Sequence, residues 1–376
     1  MTDAEIAIIG GGLAGASAAA YLAPHRSVVL LEREDQPGYH ASGRSAALFT
    51  ETYGNAVVRA LTVASRPFLA APPEGFAEHP LLSPRGALHV GTDGDEAWLA
   101  ALLSETRALV DSVRAVDAEE ARRLVPALKP GWVRAGVLEP DAQDIDTHAC
   151  LQGFLRVARS HGARVMTRAE ARGIARSGGR WRVDTPAGPV SADILVNAAG
   201  AWADAVAELA GVPRRGLQPK RRTAFLFAPP EGVSVRDWPI CIGPREAFYF
   251  KPDAGMILGS PADETPSVPC DAQPDELDVA IAADRIQAVA ELPIRRIARS
   301  WAGLRTFAPD KTPVVGFDPA AEGFFWLAGQ GGYGFQTAPA LGAITASLIL
   351  SGTVPNGIAD LGVAAAHLAP ERLPTA

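Results

Sequence analysis

With 376 residues, 48% of them hydrophobic and 20% charged, the chain is long enough for two domains around a large buried core. Its formal net charge of -7, spread without blocks of one sign, argues against a nucleic-acid surface. Cys150, Cys241 and Cys270 and seven dispersed histidines lack the spacing of a metal site, so free thiols and no bound metal are expected.

Residues 1–5 carry no basic stretch ahead of the first apolar strand and do not read as a secretory signal, so a cytoplasmic protein is expected. Next come an apolar strand over 6–9, the turn Gly10-Gly11-Gly12-Leu13-Ala14-Gly15, an alanine-rich helix, and a strand over 28–31 ending at Glu32. In that order these parts form a dinucleotide-binding unit. Gly10 permits the tight turn, Gly12 lets the backbone approach a pyrophosphate, and Gly15 lets the helix lie close on the strand. The helix N-terminus faces the phosphates, and Glu32 is placed to accept from a ribose hydroxyl.

A polar loop over 36–47 follows, then helical periodicity over 95–125, with Leu99, Leu102, Leu103, Leu109 and Val110 on one side. The acids in 144–147 cap a helix over 149–161 that Gly162 ends. Strands are expected at 165–166, 181–185 and 192–196, the last entering the turn Asn197-Ala198-Ala199-Gly200 and a new helix. From 213 to 302 the texture becomes alternating and aromatic, as at 223–227 and 247–251, which suits an antiparallel sheet. A strand over 323–328 then enters Gly329-Gln330-Gly331-Gly332-Tyr333-Gly334 and a helix. The late apolar stretch, 338–350, is shorter than the roughly 20 residues that span a bilayer. No transmembrane segment is expected.

Together the N-terminal unit, the Asn-Ala-Ala-Gly turn and the final glycine-rich helix entry resemble the D-amino acid oxidase superfamily of FAD enzymes across essentially the whole chain. Residues 38–47, 217–222, 301–305 and 330–334 resemble its D-arginine dehydrogenase branch. The resemblance implies an α/β fold: a Rossmann-like FAD-binding domain of glutathione-reductase type from 1–80, 140–212 and 303–376, and an α+β, antiparallel-sheet substrate domain from 81–139 and 213–302. It implies non-covalent FAD held by Gly10, Gly12, Ala14, Gly15, Glu32, Arg33, Ala171 and Gly200, with Ser42, Gly43, Arg44, Ser45, Ala46 and Leu48 along the flavin. Gly331, Gly332, Tyr333, Gly334, Phe335, Gln336 and Thr337 complete the set, with amides near the pyrimidine edge of the flavin, where fixed donors stabilise the charge of the reduced ring.

The same resemblance places Arg222 and Arg305 on a substrate carboxylate, helped by the Tyr53 and Tyr249 hydroxyls, with the Gly332 carbonyl receiving the amine and Gln336 reaching ligand or flavin. A planar guanidinium that stays charged suits this task. The reaction implied is oxidative deamination of a D-amino acid, with a quinone, another carrier or oxygen as electron acceptor. Leu48, Thr50, Ala87, Ile240 and Ile242 would surround the side chain. Here the chain departs from the branch, since Ala87 stands where an acid reads a cationic side chain and Leu48 where a histidine lies. Burying an unpartnered cation costs several kcal/mol as an order of magnitude, so neutral, hydrophobic D-amino acids are expected to be favoured over D-arginine. His89, two residues on, shares the strand face of Ala87. A related amine oxidase acting on glycine, proline or N-methyl amino acids, and a flavin-binding protein without turnover, are the competing readings.

Overall fold

The computed structural model describes residues 2–375. Among them are an eight-stranded and a nine-stranded sheet, and a three-stranded sheet built from Leu48–Phe49, Leu82–Pro84 and Gln143–Ile145.

The eight-stranded sheet is parallel at its centre. Thr2–Ile9 lies between Val28–Leu31 and Val190–Asn197, with Arg164–Met166 beyond the first and Phe324–Ala328 beyond the second. Residues 6–9, Val28–Leu31 and Phe324–Ala328 are buried throughout, which is why they read as continuous apolar runs. Helices Leu13–Leu22, Ala56–Ala70, Thr147–Ser160 and Gly334–Ser351 share one core on one face. Helix Ala203–Leu209 belongs to the core of the other face. At Gly342 a side chain would come within 2.7 Å of the Tyr21 ring, so glycine sets the close crossing of the first and last of those four helices. The carboxyl ends of the central strands meet where Ala198 donates to the Ile9 carbonyl (2.9 Å) and Gly10 to the Leu31 carbonyl (2.8 Å). Open parallel sheets bind ligands at such ends.

The nine-stranded sheet runs Thr265–Pro266, Gln218–Phe227, Met256–Ser260, Tyr249–Asp253, Ile240–Ile242, Ala87–Gly91, Ala135–Glu139, Arg114–Asp117, with Arg299–Phe307 also paired to Gln218–Phe227. Its pairs are antiparallel except one: Ile240–Ile242 runs parallel to Ala87–Gly91. Leu88, Leu138, Phe225, Cys241 and Phe250 pack on one face with Ile286 of helix Glu276–Val289. Alternate residues Ala87, Ala224, Ile240, Tyr249 and Leu258 form a cluster on the other.

Three expectations need correction. The helical region over 95–125 is two helices, Glu96–Arg107 and Ala118–Leu124, separated by strand Arg114–Asp117. Leu109 lies past the first helix and is exposed, while Val116 enters the core of the second sheet. The strand expected over 247–251 begins at Tyr249, because the Phe248 ring turns under Gly243. Strand Arg299–Phe307 also runs unbroken through 302–303, where the sequence suggested a change of domain. The cap at 144–147 follows the expectation, Asp146 accepting from the Ala149 amide at 2.8 Å, although the helix starts two residues early.

A buried ion pair fixes the strand that leads into the terminal glycine loop. Arg215 meets Asp318 at 2.5 Å, and Asp318 also accepts from the Trp326 indole at 2.9 Å. Asp318→Ala leaves Arg215 as an unpaired buried charge and is expected to cost about 3–5 kcal/mol. A lowered denaturant midpoint checks this.

Candidate active site

One end of a long cleft is lined by Gly10, Gly12, Glu32, Arg33, Ala171, Gly200 and Trp202. At Gly10, with φ of +109°, a side chain would strike the Ala198 carbonyl, and at Gly15 one would strike the Gly10 carbonyl, so the turn closes only on glycine. The Glu32 carboxylate has a structural duty besides facing the cleft. Its oxygens accept from the Gly11 amide (2.9 Å) and the Glu34 amide (2.9 Å), leaving a second lone pair on each. Burial raises its pKa and these two bonds oppose the shift. Arg33 lies over the Trp202 ring at 5.0 Å. Asn197 forms its turn locally, donating to the Ala203 carbonyl at 2.7 Å and accepting from the Ala199 amide.

The cleft continues past Gly12, Ala14, Ser42, Arg44, Ser45, Ala46, Leu48, Gly200, Gly303 and residues 330–332 and 334–336. Ser42 accepts from the Leu13 amide at 3.0 Å, tying the loop to the first helix N-terminus. Gly43 packs on the Gly38 carbonyl and is outside the lining. Arg44 commits its guanidinium to protein partners, the Ala272 and Ala302 carbonyls (2.9 Å each) and Asp271. Tyr333 and Thr337 shape the terminal loop from behind, Tyr333 donating to the Lys311 carbonyl and Thr337 to the Tyr333 carbonyl. Gln336 lines the cleft, its amide nitrogen held by Thr62 (2.7 Å) and the Thr50 carbonyl (3.3 Å).

Two cations meet at the far end. Lys220 stands opposite Arg305 and Arg222 opposite Gly303 on neighbouring antiparallel strands, so Arg222 and Arg305 are diagonal neighbours on one face. Such residues are about 7–8 Å apart at their roots, close enough for both side chains to reach one carboxylate. Arg221 points the other way, to Asp278 on helix Glu276–Val289 (2.6 Å). Arg222 is oriented by the Asp263 carbonyl, which accepts from its Nε at 2.8 Å, while Glu264 lies 3.6 Å from its terminus. A side chain built on Gly332 would come 2.9 Å from the Arg305 guanidinium and 3.0 Å from the Tyr53 hydroxyl, so these three groups share one corner. Burial opposes ionisation of Tyr249, but the Arg222 and Arg305 charges outweigh it and hold the phenol below its ordinary value.

Of the residues expected around the side chain, Leu48 lines the cleft, and Ala87, Ile240 and Ile242 pack in one cluster with it. Tyr249 and Ala46 belong to the same cluster. Thr50 adjoins through Gln336. Sequence reasoning missed Glu139, which pairs directly opposite Ala87 and bonds both Thr50 and Thr52. Only its place at the end of an apolar strand, before Pro140, could have drawn notice. His89 sits farther along the same face beside Trp98; its Nδ1 has no partner, and burial pushes its pKa down to about 4.

The profile of the DAO family, FAD dependent oxidoreductase, matches residues 5–348. The chain belongs to this family. It is 28% identical over 284 residues to the hydrogen cyanide synthase subunit HcnC of Pseudomonas aeruginosa, covering 74% of this chain and 66% of that one. It is 25% identical over 385 residues to the mitochondrial dimethylglycine dehydrogenase of Mus musculus, covering 95% of this chain but 44% of that protein. The chain thus spans less than two thirds of either relative. Among solved structures, L-proline dehydrogenase from P. horikoshii superposes with a TM-score of 0.83 at 22% identity, covering 99% and 98% of the two chains.

FAD is the cofactor of this FAD-dependent oxidoreductase, and the residues present fit it: a turn closed by Gly10 and Gly15 with no room for side chains, the buried acid Glu32 beside it, and the N-termini of helices Leu13–Leu22 and Gly334–Ser351 along the cleft. No described helix is long and apolar enough to cross a membrane.

Gly332→Ala is expected to leave FAD bound but displace the Arg305 and Tyr53 corner, lowering kcat/KM about 10²-fold; steady-state kinetics on flavin-loaded protein check this. His89 binds a proton more readily unfolded than folded. Its contribution is therefore present above the ordinary histidine pKa of about 6.5 and lost as pH falls toward about 4. His89→Gln should flatten that limb of a stability-versus-pH curve.

Proposed function

We propose that this oxidoreductase oxidatively deaminates D-amino acids to 2-imino acids, which water converts to 2-oxo acids and ammonia. The observation that carries the reading is the corner formed by Arg222, Arg305, Tyr53, Tyr249 and Gly332, where two guanidinium groups share one face of a sheet. A carboxylate paired there is held by fixed, always charged forks, which aims its α carbon. Bound FAD supplies the two-electron acceptor for the hydride equivalent that leaves this carbon.

The Gly332 carbonyl receives the amine, and substrate amine that has lost its proton needs no general base from the protein. Likeness of residues 38–47, 217–222, 301–305 and 330–334 to the D-arginine dehydrogenase branch supports the D configuration. So far as Leu48, Ala87, Ile240 and Ile242 decide, the pocket wall is apolar and favours neutral side chains over D-arginine. Non-covalent FAD fits the thiols, since Cys150 and Cys241 are buried and Cys270 lines the cleft only at the end that Glu32 lines. The likeness to a dimethylglycine dehydrogenase supports a second reading, glycine or N-methyl amino acids, because the clamp reads only the carboxylate.

Anaerobic bleaching of the flavin by a panel of D-, L- and N-methyl amino acids and glycine separates these readings. Bleaching by D-amino acids is expected; bleaching only by glycine or N-methyl compounds replaces the first reading with the second, and none at all marks a protein without turnover. Arg305→Leu should lower kcat/KM by about 30-fold to several thousandfold, the range for truncating one partner of a buried charge pair. Flavin reduction should rise with pH through the pKa of the bound amine, and a flat profile would remove the amine from that role.

A further inference from the structure

Strand Gln218–Phe227 is paired along one edge in two separate stretches. Phe225 pairs with Gly259 of Met256–Ser260, and Arg221 pairs with Thr265 of Thr265–Pro266. Between those pairs the three residues 222–224 face the five residues 260–264, so the neighbouring segment carries two extra residues opposite Arg222. This is a β-bulge, and bulges beside active sites re-aim side chains. Ala262 takes a φ of +53° inside it, a left-handed conformation that is costly for a residue with a side chain.

Side chains replace the ladder that the bulge interrupts. The Thr223 amide donates to one Asp263 carboxylate oxygen at 2.6 Å, and the Thr223 hydroxyl donates to the other at 3.1 Å. The Thr223 carbonyl accepts from the Ser260 hydroxyl at 2.6 Å, and that hydroxyl accepts from the Ala262 amide at 3.1 Å. Thr223 and Ser260 are fully buried, and the Asp263 side chain is 7% exposed. The backbone carbonyl of the same Asp263 then accepts from Arg222 Nε at 2.8 Å. Arg222 lines the cleft and Asp263 does not. Charge is the lesser part of this arrangement, since Arg221 stays 3.6 Å from the Asp263 carboxylate and is bonded instead to Asp278 at 2.6 Å.

We propose that Asp263 is a positioning residue for the substrate carboxylate: its side chain closes the bulge on Thr223, which fixes its own carbonyl against Arg222 Nε and so aims that guanidinium. This rests on the reading of Arg222 as a carboxylate-binding group. A guanidinium is a rigid plane, so a bond that fixes the direction of Nε also fixes where the two terminal nitrogens lie. Glu264 stands 3.6 Å from that terminus, outside hydrogen-bond distance, and does not take it from a ligand. What the Asp263 side chain supplies is reach and acceptors for Thr223, not its charge.

The test titrates oxidised holoenzyme with isovalerate, a carboxylate that has no amine to oxidise, and reads its binding from the change in flavin absorbance. Asp263→Asn keeps the length and an acceptor for the Thr223 amide while removing the charge, and should leave the dissociation constant little changed. Asp263→Glu keeps the charge but lengthens the arm, and should raise the constant about 10-fold. In an Arg222→Leu background the same Asp263→Glu change should add almost nothing, because the residue acts through Arg222. Asp263→Ala, measured in the same two backgrounds, makes the comparison without an enlarged side chain. An equal rise in both backgrounds, no rise in the wild-type background, or a rise for Asp263→Asn as large as for Asp263→Glu overturns the proposal. A wild type that holds FAD but does not bind isovalerate instead overturns the carboxylate reading of Arg222 on which the proposal stands.

Discussion

Alternate residues of a strand face opposite sides of a sheet, and in the nine-stranded sheet this separates Arg221 from Arg222. One of these adjacent cations closes the sheet against a helix and the other faces the cofactor cleft. The same period sends Leu88, Leu138 and Cys241 into the outer core and turns Ala87, Ala224, Ile240 and Tyr249 to the opposite face, from which Ala224 and Tyr249 line the cleft. A slip of one residue in any of these strands would exchange core for site. The apolar packing of the outer face, helix Glu276–Val289 included, therefore holds the register that puts Arg222 and Arg305 on one face.

The first dinucleotide unit was legible because local constraints wrote it. Gly10 and Gly15 have no steric alternative, and the buried parallel strands have to be apolar runs. Residues 144–147 announced a helix start because a cap acts over three residues. Strand Arg114–Asp117 was hidden within helical periodicity, since pairing with a distant partner leaves little local trace. The Phe248 ring likewise overrode an aromatic strand pattern by tertiary packing under Gly243.

In the site, legibility followed the same division. Arg222 and Arg305 drew notice through likeness to known loops, and the geometry adds how the Asp263 carbonyl orients one and how Gly332 leaves space for the other. Glu139 could not be found that way, because only the strand pairing shows that it stands across from Ala87. Arg44 shows the converse. It stands in the loop expected to flank the flavin, yet its guanidinium serves the other sheet.

That reach gives the molecule a latch. Arg44 belongs to the loop along the cleft, and its charged end is gripped by Asp271, by the carbonyl at 272 and by the carbonyl at 302 within the strand that carries Arg305. The cofactor loop cannot swing outward without releasing those partners. Outward movement of the cleft loop and loosening of the strand that carries Arg305 therefore draw on the same set of contacts.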